Sequence, residues 1–235
     1  MRFIATLLIF GPLFPACVYS LCQAPGPRLV CAEYFRSKAV VKAELIRKRA
    51  IVDKDGTVSA NIYYMRTDEV LRGSIDPDFE IYEGNDSGRA GFYWKTGHSY
   101  LLFLFRSVET KRAAWALDGC GNSGPLKGKH SVLRQIEGLA NHRGGTIQVA
   151  VGDGSISSPV KGAQTIALGT GRSFSEITNE NGRSEIHVPP GRYSVKVKSD
   201  KAYEPYFLGY EQPNNIQIQN GSCAQVQFVE AGNNR

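Results

Sequence analysis

The stretch "AVVKAELIRKRAIVDKDGTVSANIYYMRTDEVLRGSI", Ala39 to Ile75, decides the architecture of the first half of this chain. Apolar and polar residues alternate loosely from Ala39 to Val52, which predicts a β-strand. Asp53 to Gly56 ("DKDG") interrupts the alternation, and an Asp-Gly pair suits the positive backbone angles of a tight turn. A calcium loop would require more oxygen ligands and a late Glu, which the next residues do not supply. We therefore predict a β-hairpin.

Further short strands and one helix surround this hairpin. The segments "DFEIYEG", "SYLLFLFRSV" and "AAWALDGC" are rich in β-branched and aromatic residues and are bounded by turn residues. After Cys31, "AEYFRS" is typical of a short helix or turn. "SVLRQIEGLANH" predicts an amphipathic helix, whose apolar side carries Val132, Leu133, Ile136 and Leu139. Several strands followed by a helix predict a small closed or partly closed barrel, although periodicity alone does not separate a barrel from a sandwich.

The N-terminus has the features of a signal peptide. Arg2 precedes the apolar run "FIATLLIFGPLF", which is too short to span a bilayer comfortably. Cleavage after Ser20 would make Leu21 the first mature residue, so we predict a signal peptide at 1–20 and a secreted, periplasmic or cell-surface protein. A lipid anchor on Cys17 is the alternative, because "LFPAC" ends in Ala-Cys. No transmembrane segment is predicted after the leader.

The formal net charge of +6 and the sequence pI of about 9.1 raise the question of an anionic partner. Lys and Arg are spread along the chain, and one cluster stands out, from Arg36 to Arg49. We interpret this cluster as a solvated face, and we predict no nucleic-acid partner.

The cysteines indicate disulfide bonds. Removal of the leader leaves four of them, which are Cys22, Cys31, Cys120 and Cys223. An even number in an exported chain is most simply explained by two disulfides, with three possible connectivities. Their spacing lacks the close Cys or His pairs of a zinc site, so no metal site is predicted.

The residues give no pattern typical of an enzyme. None of the histidines, His98, His130, His142 and His187, lies in a metalloprotease spacing. Ser123 in "GNSGP" lacks the strand-to-helix pattern of a nucleophile and an obvious His-Asp pair. We therefore expect a protein without catalytic residues and without a cofactor.

Several segments in order resemble the netrin-like domain, the OB-type barrel found in tissue inhibitors of metalloproteinases. These are Cys22, then Cys31 with "AEYFRSKAVVKAEL", "VLRG" ending at Gly73, "GHSYLLF", and Cys120 in "WALDGCGNSGPL". The resemblance covers residues 21–142 and implies an OB-like five-stranded barrel with a flanking helix.

The same resemblance implies how the cysteines pair. In the metalloproteinase inhibitors an N-terminal cysteine chelates the zinc of the protease, and that position falls on Ser20 here, inside the predicted leader. The partner of that cysteine is also absent, because Ala90 and Gly91 stand in its region. The resemblance implies a Cys22–Cys120 bridge, which leaves Cys31 to pair with Cys223.

The second half changes composition near Asn141 to Gly145, towards short strands separated by Gly, Asn and Pro. This spacing fits a seven-stranded antiparallel sandwich. "PVKGA", "TNENGR" and "VPPGRYSV" resemble the prealbumin-like repeat of carboxypeptidase regulatory domains, which implies an Ig-like or prealbumin-like sandwich at 145–230. Asn181-Gly182 is predicted to form a tight turn.

We predict an all-β, non-catalytic, secreted or cell-surface protein-binding module that resembles metalloproteinase inhibitors without their zinc-chelating cysteine. The alternative is a structural or adhesion protein of the cell envelope or extracellular matrix. The candidate partner-binding residues are aromatic and loop-like: Tyr203, Tyr206, Phe207 and Tyr210, with Phe92 to Trp94 as a second group. The first group could instead cap the sandwich core.

Overall fold

The computed structural model describes residues 28–85, 92–106, 114–155, 158–206 and 211–231. The predicted signal peptide at 1–20, the alternative lipid site Cys17, Leu21 and Cys22 lie outside these ranges. Among the described residues, no helix has the length and apolar composition needed to cross a bilayer.

The first half forms a barrel. Its strands are β1 Ala39–Val52, β2 Val58–Gly73, β3 Asp78–Gly84, β4 Ser99–Arg106, β5 Trp115–Ala116 and the short β6 Gly124–Pro125. The order is β1-β2-β3-β5-β4, and β4 pairs again with β1, which closes the sheet. The β3–β5 pairing is parallel and the others around the barrel are antiparallel. Five strands close the sheet, so the OB-like five-stranded barrel is confirmed, and the two-residue β6 pairs with β4 as a sixth strand.

The hairpin predicted within Ala39 to Ile75 forms as expected. β1 and β2 pair along nearly their whole length, and Gly56 at the turn has φ +85°. That angle is accessible to glycine and strained for most other residues.

Two helices cover one outer face of the barrel: α1 Val30–Arg36 and α2 His130–Leu139, with a 3₁₀ turn at Leu126–Gly128 before α2. Ile136 and Leu139 are buried, and Val132 and Leu133 pack beside them, so the predicted apolar side of α2 is confirmed. The helices cover outward-facing residues of β1 and β4, namely Val40, Leu101 and Phe103. Because both faces of β4 are thus covered, this strand is almost continuously apolar.

The second half is a two-sheet sandwich. Its strands are β7 Gly145–Gly152, β8 Gln164–Gly169, β9 Arg172–Ile177, β10 Arg183–Val188, β11 Gly191–Lys198, β12 Tyr203–Pro205, β13 Ile216–Ile218 and β14 Cys223–Glu230. One sheet has the order β10-β7-β14-β12 and the other β13-β11-β8-β9. The Asn181-Gly182 turn forms, with Gly182 at φ +66°.

Two details of the sandwich differ from the prediction of seven antiparallel strands. The described residues contain eight strands. The short strands β12 and β13 have three residues each, too few to show a periodic pattern in the sequence. The pairing of β14 with β7 is parallel, which periodicity does not reveal, since it depends on how the chain returns to the sheet.

Candidate functional site at the joint between barrel and sandwich

The last strand of the sandwich, β14, is buried on both of its faces. Ala224, Val226 and Phe228 point into the sandwich core. Gln225 and Gln227 alternate with them and face the other way, yet they are 5% and 3% exposed. An outer sheet face is usually solvated, so these polar residues must be covered. Helix α1 of the barrel contacts β14 on this side.

Covalent and polar bonds join α1 to β14. Cys31 in α1 forms a disulfide with Cys223 in β14, with the two Cα atoms 5.4 Å apart. Just before α1, the Leu29 backbone N–H donates to Gln225 Oε1 at 2.9 Å. At the other end of α1, Arg36 Nε lies 3.6 Å from Glu211 Oε1. Both ends of the helix are thus attached to the sandwich.

A second contact involves the end of α2 and the turn between β13 and β14. Gly221 in that turn has φ +72°, and a Cβ atom there would collide with the backbone carbonyl of Leu139. The Gly221 N–H donates to the Gly144 carbonyl at 2.8 Å, and the Gly144 N–H donates to Asn220 Oδ1 at 2.9 Å. The connection between the two halves is therefore hydrogen-bonded to the same turn.

A buried carboxyl lies two residues from Cys31. Glu33 in α1 is 3% exposed, and its Oε2 accepts hydrogen bonds from the Asn122 backbone N–H at 2.6 Å and from Asn122 Nδ2 at 2.7 Å. Its other oxygen, Oε1, is buried without a hydrogen-bond partner in the part of the chain that the structure describes. It lies against Gly121, where any Cβ atom would collide with it. Beside this group, Arg28 Nε donates a hydrogen bond to Asp118 Oδ2 at 2.7 Å.

The surroundings of Glu33 change its acidity. Burial raises the pKa of the Glu33 carboxyl from 4.5 to about 7, although the two hydrogen bonds from Asn122 lower it. The nearby Asp118 carboxylate raises this pKa further and the Arg28 guanidinium lowers it. Burial also lowers the pKa of Lys129, while the charge of Glu33 acts on it in the opposite sense.

The joint borders a pocket of about 240 Å³ that is open to solvent on one side. Its wall contains charged and polar groups from both halves, among them Arg28, Glu33, Arg36, Asp118, Glu211 and Gln225. Opposite charges line it in similar numbers, so its wall does not select a ligand of one charge. No group of three His, Cys, Asp or Glu side chains converges as a metal site among the described residues.

The predicted disulfide residues have different outcomes. The Cys31–Cys223 pairing is confirmed. Cys120 is also disulfide-bonded, but its predicted partner Cys22 lies outside the described residues, so that pairing stays a prediction. Disulfides of this kind are typical of exported proteins.

The predicted aromatic residues do not form one exposed patch in the described ranges. Tyr203 is partly buried against the sandwich core, and Tyr206 is partly buried and donates its N–H to Gln227. Phe207 and Tyr210 lie outside the described residues. In the other group, Phe92 and Trp94 pack on the barrel core while Tyr93 is 92% exposed. A partner for either group stays a prediction.

Sequence reasoning missed Glu33, Asn122 and Gln225. Glu33 and Gln225 are buried and Asn122 is half-buried. All three are polar residue types more typical of a surface, so composition gives no signal of these positions. A weak signal existed in β14, where Gln225 and Gln227 occupy the outer positions with no charged residue among them.

Comparisons with known proteins place the chain in no family. No family model matches, and no curated protein matches. Among solved structures, the Bacillus anthracis TIE protein overlaps 83% of this chain and 31% of its own, at 12% identity and a TM-score of 0.28. BcpA, the major pilin subunit of Bacillus cereus, overlaps 85% of this chain and 62% of its own, at 14% identity and a TM-score of 0.27. The chain thus spans less than two thirds of either protein.

Proposed function

We propose that this protein is a non-catalytic structural or adhesion component of the cell surface or extracellular matrix, in which barrel and sandwich act as one rigid spacer. One observation carries the proposal, the Cys31–Cys223 disulfide between the first helix of the barrel and the last strand of the sandwich. A module that needed its two halves to move apart would not have its joint cross-linked. We therefore favour this function over an inhibitor-like binding module.

The polar contacts beside the disulfide support a fixed joint. Gln225 and Glu211 hold both ends of α1, and Gly221 packs directly on the last carbonyl of α2. Interfaces between domains usually permit relative motion unless they are large and apolar. Here a covalent bond crosses the joint, and in the chain-entropy model it also disfavours the unfolded chain by about 5 kcal/mol.

Rigidity is tested by measuring the distance between barrel and sandwich. Spin labels are attached by azide-alkyne chemistry at the exposed positions Lys127 and Lys198, so that no cysteine is disturbed. We expect a narrow distance distribution in the oxidised protein and a clearly broader one in Cys31→Ala/Cys223→Ala. Gln225→Ala with the disulfide intact is the matched control and should stay narrow. Equal widths in the oxidised protein and the double alanine variant would contradict a rigid role for the bridge.

Location and role are tested in the producing cells. Labelling of intact cells with a membrane-impermeant reagent should mark the protein, and cells that lack it should attach more weakly to surfaces or to one another. Labelling that requires lysis would overturn the proposal. Nanomolar inhibition of a zinc protease would instead restore the binding-module interpretation.

A further inference from the structure

Among the described residues, half of the first barrel strand has no strand paired with it on one side. β1 pairs with β4 through Ala39 to Glu44, whereas beyond Leu45 its pairing is with β2. Arg47, Lys48 and Arg49 lie consecutively in this uncovered half and are all exposed. None of the three forms an ion pair with a described carboxylate.

An aromatic ring orders two of these cations. Arg47 Cζ lies 3.5 Å from the centroid of the Tyr64 ring, and Arg49 Nε donates to the Tyr64 hydroxyl at 3.3 Å. A guanidinium stacked on an aromatic face keeps its N–H edges available for an oxyanion. Tyr64 therefore holds two anion-binding groups on the outer face of one hairpin.

The turn before β4 extends the positive charge. The Gly97 N–H donates to the Leu45 carbonyl at 2.8 Å, which places this turn directly beside the uncovered half of β1. Lys95 in the turn is exposed, and its backbone N–H donates to the Tyr100 hydroxyl at 2.6 Å. Lys48, between the two arginines, points to the opposite face of the strand, and its Nζ lies 5.5 Å from the centroid of the Tyr63 ring. We call Arg47, Arg49 and Lys95 the cationic edge.

A solvent-facing aromatic lies in the same loop as Lys95. Tyr93 is 92% exposed, while its neighbour Trp94 stacks on Tyr63 inside the barrel mouth at 4.3 Å between ring centroids. The packing of Trp94 thus anchors the backbone at Tyr93. The exposed Tyr93 ring offers a flat apolar surface that ends in a polar hydroxyl group. Such a ring suits contact with a sugar ring.

Acidic residues border the cationic edge and restrict where the surface is positively charged. Asp53 and Asp55 occupy the hairpin tip, and Glu80 on β3 lies across from Tyr64. The tip is therefore not a positive anchor for an anionic bilayer. The cations instead follow an extended strand, where alternate residues are about 7 Å apart, a spacing that suits a linear chain with repeated negative groups.

We propose that the cationic edge, together with Tyr93, binds an acidic polysaccharide along the outer side of the β1–β2 hairpin. This inference names a partner for the structural role proposed above and rests on it for placing the protein outside the cell. The disulfide-bonded state favours an extracellular polymer over a nucleic acid. Charge complementarity supplies the affinity, and Tyr93 supplies the contact with the sugar.

The test is binding of the full, oxidised protein to dextran sulfate, with uncharged dextran as the blank. Arg47→Gln/Arg49→Gln should weaken binding by tenfold or more and reduce the slope of log K against log salt by about 1 to 2. Lys196→Gln/Lys198→Gln, which removes two exposed cations from β11 of the sandwich, is the matched control and should change binding less than twofold. Tyr93→Ala should weaken binding severalfold at an unchanged salt slope.

Four results would overturn the proposal. They are equal weakening by both double variants, no binding by the wild type, tighter binding to vesicles rich in phosphatidylglycerol, or tighter binding to an oligothymidine. If Arg47→Gln/Arg49→Gln self-associates while binding dextran sulfate normally, the arginines protect a strand edge and do not bind a polymer. Cys31→Ala/Cys223→Ala should retain binding, so failure of the rigid joint and failure of this inference remain distinguishable.

Discussion

Glu33 places an ionisable carboxyl in a site where it is only 3% exposed, between the helix that contacts the sandwich and the loop that carries Cys120. In the folded protein its pKa is raised to about 7, while in the unfolded chain it ionises near 4.5. Below the lower value both states hold the proton. As pH rises towards 7 the unfolded state loses the proton first, so the folded state becomes less stable by up to about 3 kcal/mol.

Glu33→Gln should remove this dependence. We expect the urea-unfolding free energy of the wild type to fall between about pH 4.5 and pH 7 and then to level off, whereas this part of the fall should be absent in the variant. Glu137→Gln, on the exposed face of α2, is the control and should follow the wild-type curve. A variant curve parallel to that of the wild type would show that Glu33 is not the group responsible.

At the scale of single elements, the joint depends on how closely the turn before β14 approaches α2. Gly221 combines a positive φ of 72° with direct contact to the Leu139 carbonyl. Gly171, in the turn between β8 and β9, has nearly the same angle, φ +70°, with open space around it. A comparison of the two glycines therefore separates the cost of backbone strain from the cost of a steric collision.

Gly171→Ala should cost about 1 kcal/mol of unfolding free energy, because alanine is strained in the left-handed region. Gly221→Ala should cost about 2 to 4 kcal/mol, because a backbone carbonyl cannot rotate away as a flexible side chain can. Denaturation curves of both variants measure the difference. Similar losses would mean that α2 moves aside and that the approach is loose.

Most elements were predictable from local pattern, and the joint was not. The alternation in β1, the Asp-Gly turn and the apolar side of α2 are local signals, and each gave the right element. The parallel β14–β7 pairing, the burial of Glu33 and the contact of Leu29 with Gln225 join residues far apart in the chain. The Cys31–Cys223 bond was reached by resemblance and elimination, since four cysteines alone leave three pairings.

For the whole molecule, barrel and sandwich are one cross-linked body in which the halves share three kinds of contact: a disulfide, polar bonds at both ends of α1, and close packing at Gly221. The cationic edge lies on the barrel, in β1 beyond Leu45 and in the turn before β4. A partner bound there would therefore have a fixed orientation relative to the sandwich.

The Cys31–Cys223 bond also sets how the molecule responds to pulling. Tension that enters before residue 31 and leaves after residue 223 passes through two sulfur atoms and bypasses the 192-residue separation between them. In optical-tweezer experiments with handles at both ends, the oxidised protein should show no unfolding step longer than the detachment of β14 beyond Cys223. Reduction should release a contour length on the order of 650 Å, at about 3.4 Å per residue. Equal extension in both states would show that the bond does not carry the tension. A spacer built in this way keeps the segment between Cys31 and Cys223 unloaded, while the rest of β14, beyond Cys223, still carries the tension.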